Sequence, residues 1–191
     1  MRPFNLSVKN FSPVFWHTVL TSTDERRNEL EQLSAELAQL ESLRAGADYN
    51  TGSITLAAAW TLYATTRYFG FQRALEVGTF IGKSTWSMAR AMDREGANGE
   101  IATCDASNDI QLPWNGRTRL TQYKRKTSTQ MLASLNGLFD FCFLDGRVTD
   151  EDLLLLDKVI DQNTVIALDD FEGMEKGVAN LFKLREASSK T

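Results

Sequence analysis

The stretch Ala74–Ala89, ALEVGTFIGKSTWSMA, constrains the fold more than any other part of the chain. Leu75 and Val77 suit a short buried strand, Gly78 and Gly82 bracket a tight loop, and Lys83 to Ala91 runs on without a breaker as a helix. Such a loop brings bare backbone close to a ligand, and the free N–H groups at the helix start favour an anionic group. A plain strand-to-helix turn without a ligand is the competing reading, because glycine loops also serve packing.

Two residues narrow the ligand. A dinucleotide fingerprint beginning at Gly78 needs glycines at positions 80 and 83, where this chain has Phe80 and Lys83, so close approach of a pyrophosphate is obstructed and NAD is disfavoured. Glu76, at the strand end, would repel phosphates and attract an ammonium or sulfonium group. S-adenosylmethionine carries both cations beside an anionic carboxylate. The run E-V-G-T-F-I-G-K-S resembles motif I of the class I S-adenosylmethionine-dependent methyltransferases, and within them the catechol-type O-methyltransferase branch.

Further strands and helices alternate along the chain. Glu100 to Cys104, ending at Asp105, predicts a second strand, Arg119 to Lys124 a weak third, and Phe139 to Leu144 a fourth of the near-continuous apolar kind found in parallel sheets. Thr164 to Leu168 predicts the fifth. Helices are expected over Ile54–Phe69, closed by Gly70, and over Ser128–Leu135, Asp150–Ile160 and Met174–Arg185. Asn108 to Thr118, with Pro113 and Gly116, is too irregular for a helix. The fold class is therefore α/β, a doubly wound, mainly parallel Rossmann-like sheet, and the resemblance implies the order 3-2-1-4-5. The antiparallel hairpin that ends this fold in the family has no counterpart, which implies a truncated chain or a minimal fold.

Upstream lies an N-terminal segment, residues 1–50, ahead of the S-adenosylmethionine-binding domain at 51–191. Phe4, Leu6 and Val8 alternate as a short edge strand would. Ser22 and Glu25 form a capping box, after which Leu30, Leu33, Leu37 and Leu40 recur at helical spacing. That face packs either on its own domain or across a homodimer.

Composition excludes several classes. The 21 basic and 25 acidic residues give a net charge of −4, without the basic footprint of a nucleic-acid binder. No apolar run approaches the roughly 18 to 20 residues a membrane helix requires. Cys104 and Cys142 stand in apolar runs, as reduced thiols of a cytoplasmic protein would.

The resemblance implies roles for individual residues. Glu76, Gly78, Phe80, Gly82 and Ser84 would surround the amino-acid end of the cofactor, and Asp105, 29 residues after Glu76, would accept from its ribose hydroxyls. Ser128 and Thr129 would lie at the adenine, unless Ser128 or Thr127 simply caps a helix; Thr51 to Ile54 are candidates by position. Asp145, Asp169 and Asp170 match the metal ligands of the catechol-type enzymes, with Asp145 and Asp169 as the catalytic pair, Asp145 also near the cofactor, and Mg²⁺ as the ion. The family's catalytic lysine position is Val148 here, and His17 is the sole histidine. The expected activity is methyl transfer to a hydroxyl of a small molecule. The alternatives are a binding protein that keeps the fold without turnover, and a nicotinamide-dependent oxidoreductase.

Overall fold

Glycine and β-branched punctuation divide the chain into alternating strands and helices. The computed structural model describes residues 23–49, 52–94, 96, 98–170 and 176–189. The expected Phe4–Val8 strand, His17, Ser22, Thr51 and Met174 lie outside these residues.

The first helix among the described residues, α1 (Asp24–Leu40), starts one residue later than its S-x-x-E pattern suggests. Thr23 is the N-cap, its hydroxyl accepting from Arg26 N. A 3₁₀ turn, Glu41–Gly46, follows. Leu30, Leu33, Leu37 and Leu40 all face inward and are buried. At about 1.5 to 3 kcal/mol per buried leucine, this stripe holds α1 on the domain, and the leucines lie within the chain's own core. Glu36 adds polar ties, accepting from Trp86 Nε1 at 2.7 Å and Arg90 Nε at 2.6 Å.

Helix α2 (Leu56–Phe69) ends at Gly70, whose φ of 65° supplies the left-handed C-cap. The chain then enters β1 (Arg73–Val77), the glycine loop, and α3 (Lys83–Arg94). Strands β2 (Glu100–Asp105) and β3 (Arg119–Lys124) are joined by the irregular crossover that Pro113 and Gly116 forecast. Trp114 fastens it edge-to-face on Trp86, and Asp93 accepts from the backbone N–H groups of Arg117 and Thr118. A short α4 (Ser128–Leu132), β4 (Phe141–Leu144), α5 (Asp150–Leu156), β5 (Val165–Leu168) and α6 (Lys176–Ser189) complete the order.

Among the described residues, all five strands are parallel in the order β3-β2-β1-β4-β5, which puts β1 at the centre. Period-two alternation then sorts the core into two layers. Ala74, Phe141 and Phe143 face the layer of α1, α2 and α3, whereas Leu75, Val77, Cys142 and Leu144 face Met131, Leu153 and Leu156 of α4 and α5. Glu76 shares the parity of Ala74, and so points at α3. No helix among the described residues is long and apolar enough to cross a membrane.

Candidate functional site at the carboxyl edge of the sheet

The strand order reverses between β1 and β4, and the carboxyl ends of the strands at such a switch are the usual ligand position in open α/β sheets. The glycine loop leaves β1 there. Gly78 has a φ of 103°, which side chains rarely tolerate, and a Cβ there would stand 3.2 Å from the carbonyl carbon of Asp145 and crowd the β1–β4 junction. At Gly82, φ 78°, a Cβ would meet Leu112 at 2.4 Å, which lets the crossover lie on the loop. Phe80 between them adopts φ 45°. Its ring stacks on Tyr49, centroids 5.0 Å apart, and carries the Arg44 guanidinium at 5.0 Å. Ser84 is buried in the first turn of α3.

Glu76 lies deeper than the strand-end expectation places it, with no solvent exposure. Its Oε2 accepts from the Thr85 hydroxyl and from Thr103 Oγ1 at 2.5 Å, whereas Oε1 makes no well-formed hydrogen bond. Burial pushes its carboxyl up to about 7, against the hydroxyls of Ser84, Thr103 and Thr85, with the charge of Asp145 adding to the rise.

Asp105 closes the end of β2 and is already a hub. Oδ1 accepts from Ser107 N and Asn108 N, each at 2.9 Å, and Oδ2 accepts from Phe80 N at 2.9 Å and Tyr49 Oη at 2.7 Å. It thus ties the glycine loop to β2 and to the segment after the 3₁₀ turn. Burial and the Asp105 carboxylate hold the Tyr49 phenol well above its ordinary range. Beside it, the Asn108 side chain is 2% exposed and its amide makes no well-formed hydrogen bond. Its amide lies beside the Tyr49 phenol, whose charged form it favours, and a polar ligand next to Asp105 would complete its hydrogen bonding.

Ser128 and Thr129 are turned to another task. Thr127 caps α4 in a capping box with Gln130, while Ser128 Oγ and Thr129 Oγ1 donate to the two oxygens of Asp152 at 2.8 and 2.7 Å. Asp152 is fully buried, so these bonds anchor α5 to α4.

The third group of residues converges. Asp145 follows β4, Asp169 and Asp170 follow β5, and one oxygen from each lies within 4.8 Å of the others. Burial raises the Asp145 carboxyl to about 6; Lys176 opposes the rise, and Asp169 and Asp170 add to it. Lys176 is the residue that sequence reasoning missed: its Nζ stands 2.7 Å from Asp145 Oδ1 and 3.0 Å from Asp170 Oδ2. Crowded carboxylates attract positive charge, here that of Lys176, and oxygen donors of this type are the kind a hard divalent ion such as Mg²⁺ takes. The arrangement can bind an amphoteric ligand along the glycine loop and a cation-associated oxygen group beside it.

A family model described as a methyltransferase domain matches residues 75–171. No curated protein matches the chain significantly. Among solved structures, the chain is similar to the O-methyltransferase TomG from Streptomyces achromogenes, involved in tomaymycin synthesis and solved in complex with SAM. The identity is 19% and the TM-score 0.58, over 91% of this chain and 81% of that one. It is also similar to an O-methyltransferase from Bacillus cereus in complex with SAH, at 20% identity and a TM-score of 0.57, over 91% and 82% of the two chains. The SAH-bound methyltransferase PaMTH1 from Podospora anserina gives 17% identity and a TM-score of 0.54, over 95% and 88%. At these identities the likeness concerns the fold.

Proposed function

The chain belongs to the methyltransferase domain family and has its class I fold, and from that premise we propose that it transfers the methyl group of S-adenosylmethionine to a hydroxyl of a small molecule, with Mg²⁺ assisting. The observation that carries this reading is the meeting, at one edge of the sheet, of a glycine loop, a ribose-type carboxylate and three clustered carboxylates.

Methyl transfer is a direct displacement: the acceptor oxygen forms the new bond to carbon as the sulfonium–carbon bond breaks, S-adenosylhomocysteine leaves, and the hydroxyl's proton passes to solvent. The protein's task is mainly to hold the two partners in line. In this reading Gly78 to Ser84 take the amino-acid end of the cofactor, the loop backbone and the start of α3 facing its carboxylate. Glu76 acts from below, as a buried carboxyl that sets the local charge. Asp105 receives the ribose, which shares Oδ2 with Tyr49 or takes its place, and Asn108 offers its amide nearby. Ser128 and Thr129 contribute to the adenine side through the position of α4, since their hydroxyls serve Asp152.

Asp145, Asp169 and Asp170 would hold the metal. When bound, it would supply a Lewis acid that lowers the pKa of the acceptor hydroxyl. Asp145 and Asp169 are the catalytic pair in this reading because they would stand on the acceptor's side of the cofactor, at the ends of β4 and β5. The two unpaired, buried cysteines are in keeping with a reducing, cytoplasmic setting.

The test is calorimetry of the full chain with S-adenosylhomocysteine and with NAD, followed by transfer of labelled methyl groups to a panel of hydroxylated metabolites. Binding of S-adenosylhomocysteine alone, with label appearing on an oxygen, is the expected result. Binding of NAD instead, or label on a nitrogen or carbon acceptor only, would overturn the assignment.

A further inference from the structure

Lys176 opens α6, and its ammonium stands between Asp145 Oδ1 at 2.7 Å and Asp170 Oδ2 at 3.0 Å. Those are two of the three oxygen sources that a divalent ion would draw on. The placement is built into the backbone. Gly177 N donates to the Asp170 carbonyl at 3.2 Å, and a Cβ at position 177 would lie 1.9 Å from the Asp169 carbonyl oxygen and 2.7 Å from that of Asp170. Only glycine allows the start of α6 to press this closely on the Asp169–Asp170 backbone, where Asp170 itself takes φ 56°. The close approach delivers the preceding side chain onto the carboxylates. Burial works against the Lys176 ammonium, but Asp145 and Asp170 outweigh it and raise its pKa, so the group is a fixed positive charge at neutral pH.

Charge and space both matter here. One ammonium among three carboxylates leaves a deficit that a divalent ion could fill. Yet an ion bound to Asp145 Oδ1 and Asp170 Oδ2 would sit against the ammonium and repel it. The lysine side chain is 30% exposed and has a flexible four-carbon stem, so it can leave for solvent without unfolding its helix.

We propose that Lys176 is the resident counter-ion of the Asp145, Asp169 and Asp170 cluster and competes with a divalent ion for it. The proposal rests on the divalent-ion reading given above. The ion binds as the ammonium swings out, and the chain thereby sets its own metal affinity below that of the three carboxylates alone. Apparent affinity falls by the fraction of molecules in which the site is free, so a lysine in place nine-tenths of the time weakens binding about tenfold.

Titration of the full chain with Mn²⁺, followed by the electron paramagnetic resonance signal of the free ion, tests this. Lys176→Met keeps length and apolar stem but removes the charge. It is expected to bind Mn²⁺ about tenfold tighter than the native chain or better, while Lys176→Arg remains weak. Equal or weaker binding by Lys176→Met would overturn the competition and leave the divalent-ion reading standing. Mn²⁺ binding to none of the three would overturn both. A double-mutant cycle between Lys176→Met and Asp145→Asn, read by urea unfolding, gives a second measure. Coupling is expected in EDTA and should vanish at saturating Mn²⁺; coupling unchanged by Mn²⁺ counts against the proposal.

Discussion

Replacing Glu76 with glutamine should change how stability depends on pH, and the structure sets both sign and size. The carboxyl titrates near 4.5 in an unfolded chain and at about 7 when buried. Between these values the folded protein keeps a proton that the unfolded chain releases. Glu76 therefore contributes its full stability below about pH 4.5 and loses it as pH rises to 7, after which the curve is flat. Burial is the main cause, and the hydroxyls of Thr85 and Thr103 offset only part of it. A shift of this size corresponds to about 3 kcal/mol at 1.36 kcal/mol per unit. Glutamine keeps an oxygen for those hydroxyls but puts an N–H₂ where Oε1 has no well-formed partner, a cost of about 1 to 3 kcal/mol that does not vary with pH. Asp145, also raised, is present in both proteins, so its own titration cancels apart from its repulsion with Glu76, a lesser cause of the Glu76 rise than burial. Urea unfolding of both proteins at half-unit steps from pH 4.5 to 8 is the assay. The native chain should lose about 3 kcal/mol relative to Glu76→Gln across that range. A constant difference would refute the argument, and a difference of opposite slope would mean that Glu76 is ionised and held by a cation.

Three further outcomes are expected. Asp105→Ala should weaken S-adenosylhomocysteine binding by roughly 1.5 to 3 kcal/mol in calorimetry, and also lower thermal stability because four donors lose their acceptor; unchanged affinity would remove the ribose role. Leu33→Ala, at a site 2% exposed, should cost about 2 to 5 kcal/mol in urea unfolding, and a loss below about 1 kcal/mol would show that α1 adds little to the core. Chelation with EDTA should abolish methyl transfer and leave calorimetric binding of S-adenosylhomocysteine intact, whereas full activity in EDTA would exclude metal assistance.

The elements that could be read from sequence are those whose signal is local. The apolar parity of β1 and β4, the glycines around the loop and the proline-bearing crossover all state their conformation within a few residues. Helix ends were less legible. α4 stops at Leu132 and α5 at Leu156, short of the apolar runs that continue to Leu135 and Ile160, because Val159 and Ile160 reach the core from a turn. The family pattern marks Ser128 as a ligand contact, but Asp152, 24 residues on, takes its hydroxyl. Tyr49 on Asp105 and Lys176 on Asp145 join residues 56 and 31 positions apart. Neither residue has a neighbour in sequence that hints at its partner. Sequence singled out the carboxylates of the candidate site, and only tertiary contact supplied the groups that hold them.

The strand order has a consequence for a chain still leaving the ribosome. β1 pairs with β2 through Ala74 and Ile101, but its other neighbour begins with Phe141, 67 residues after Ala74. At roughly 5 to 20 residues per second, the strand destined for the middle waits roughly 3 to 13 s with one side unpaired. An apolar edge left open for that time is a template for joining another nascent chain. Glu76 stands in the midst of R-A-L-E-V and is ionised at neutral pH while solvated. The carboxylate whose burial against α3 and β2 costs the finished sheet stability as pH rises to 7 thus guards the strand against aggregation while it is still solvated.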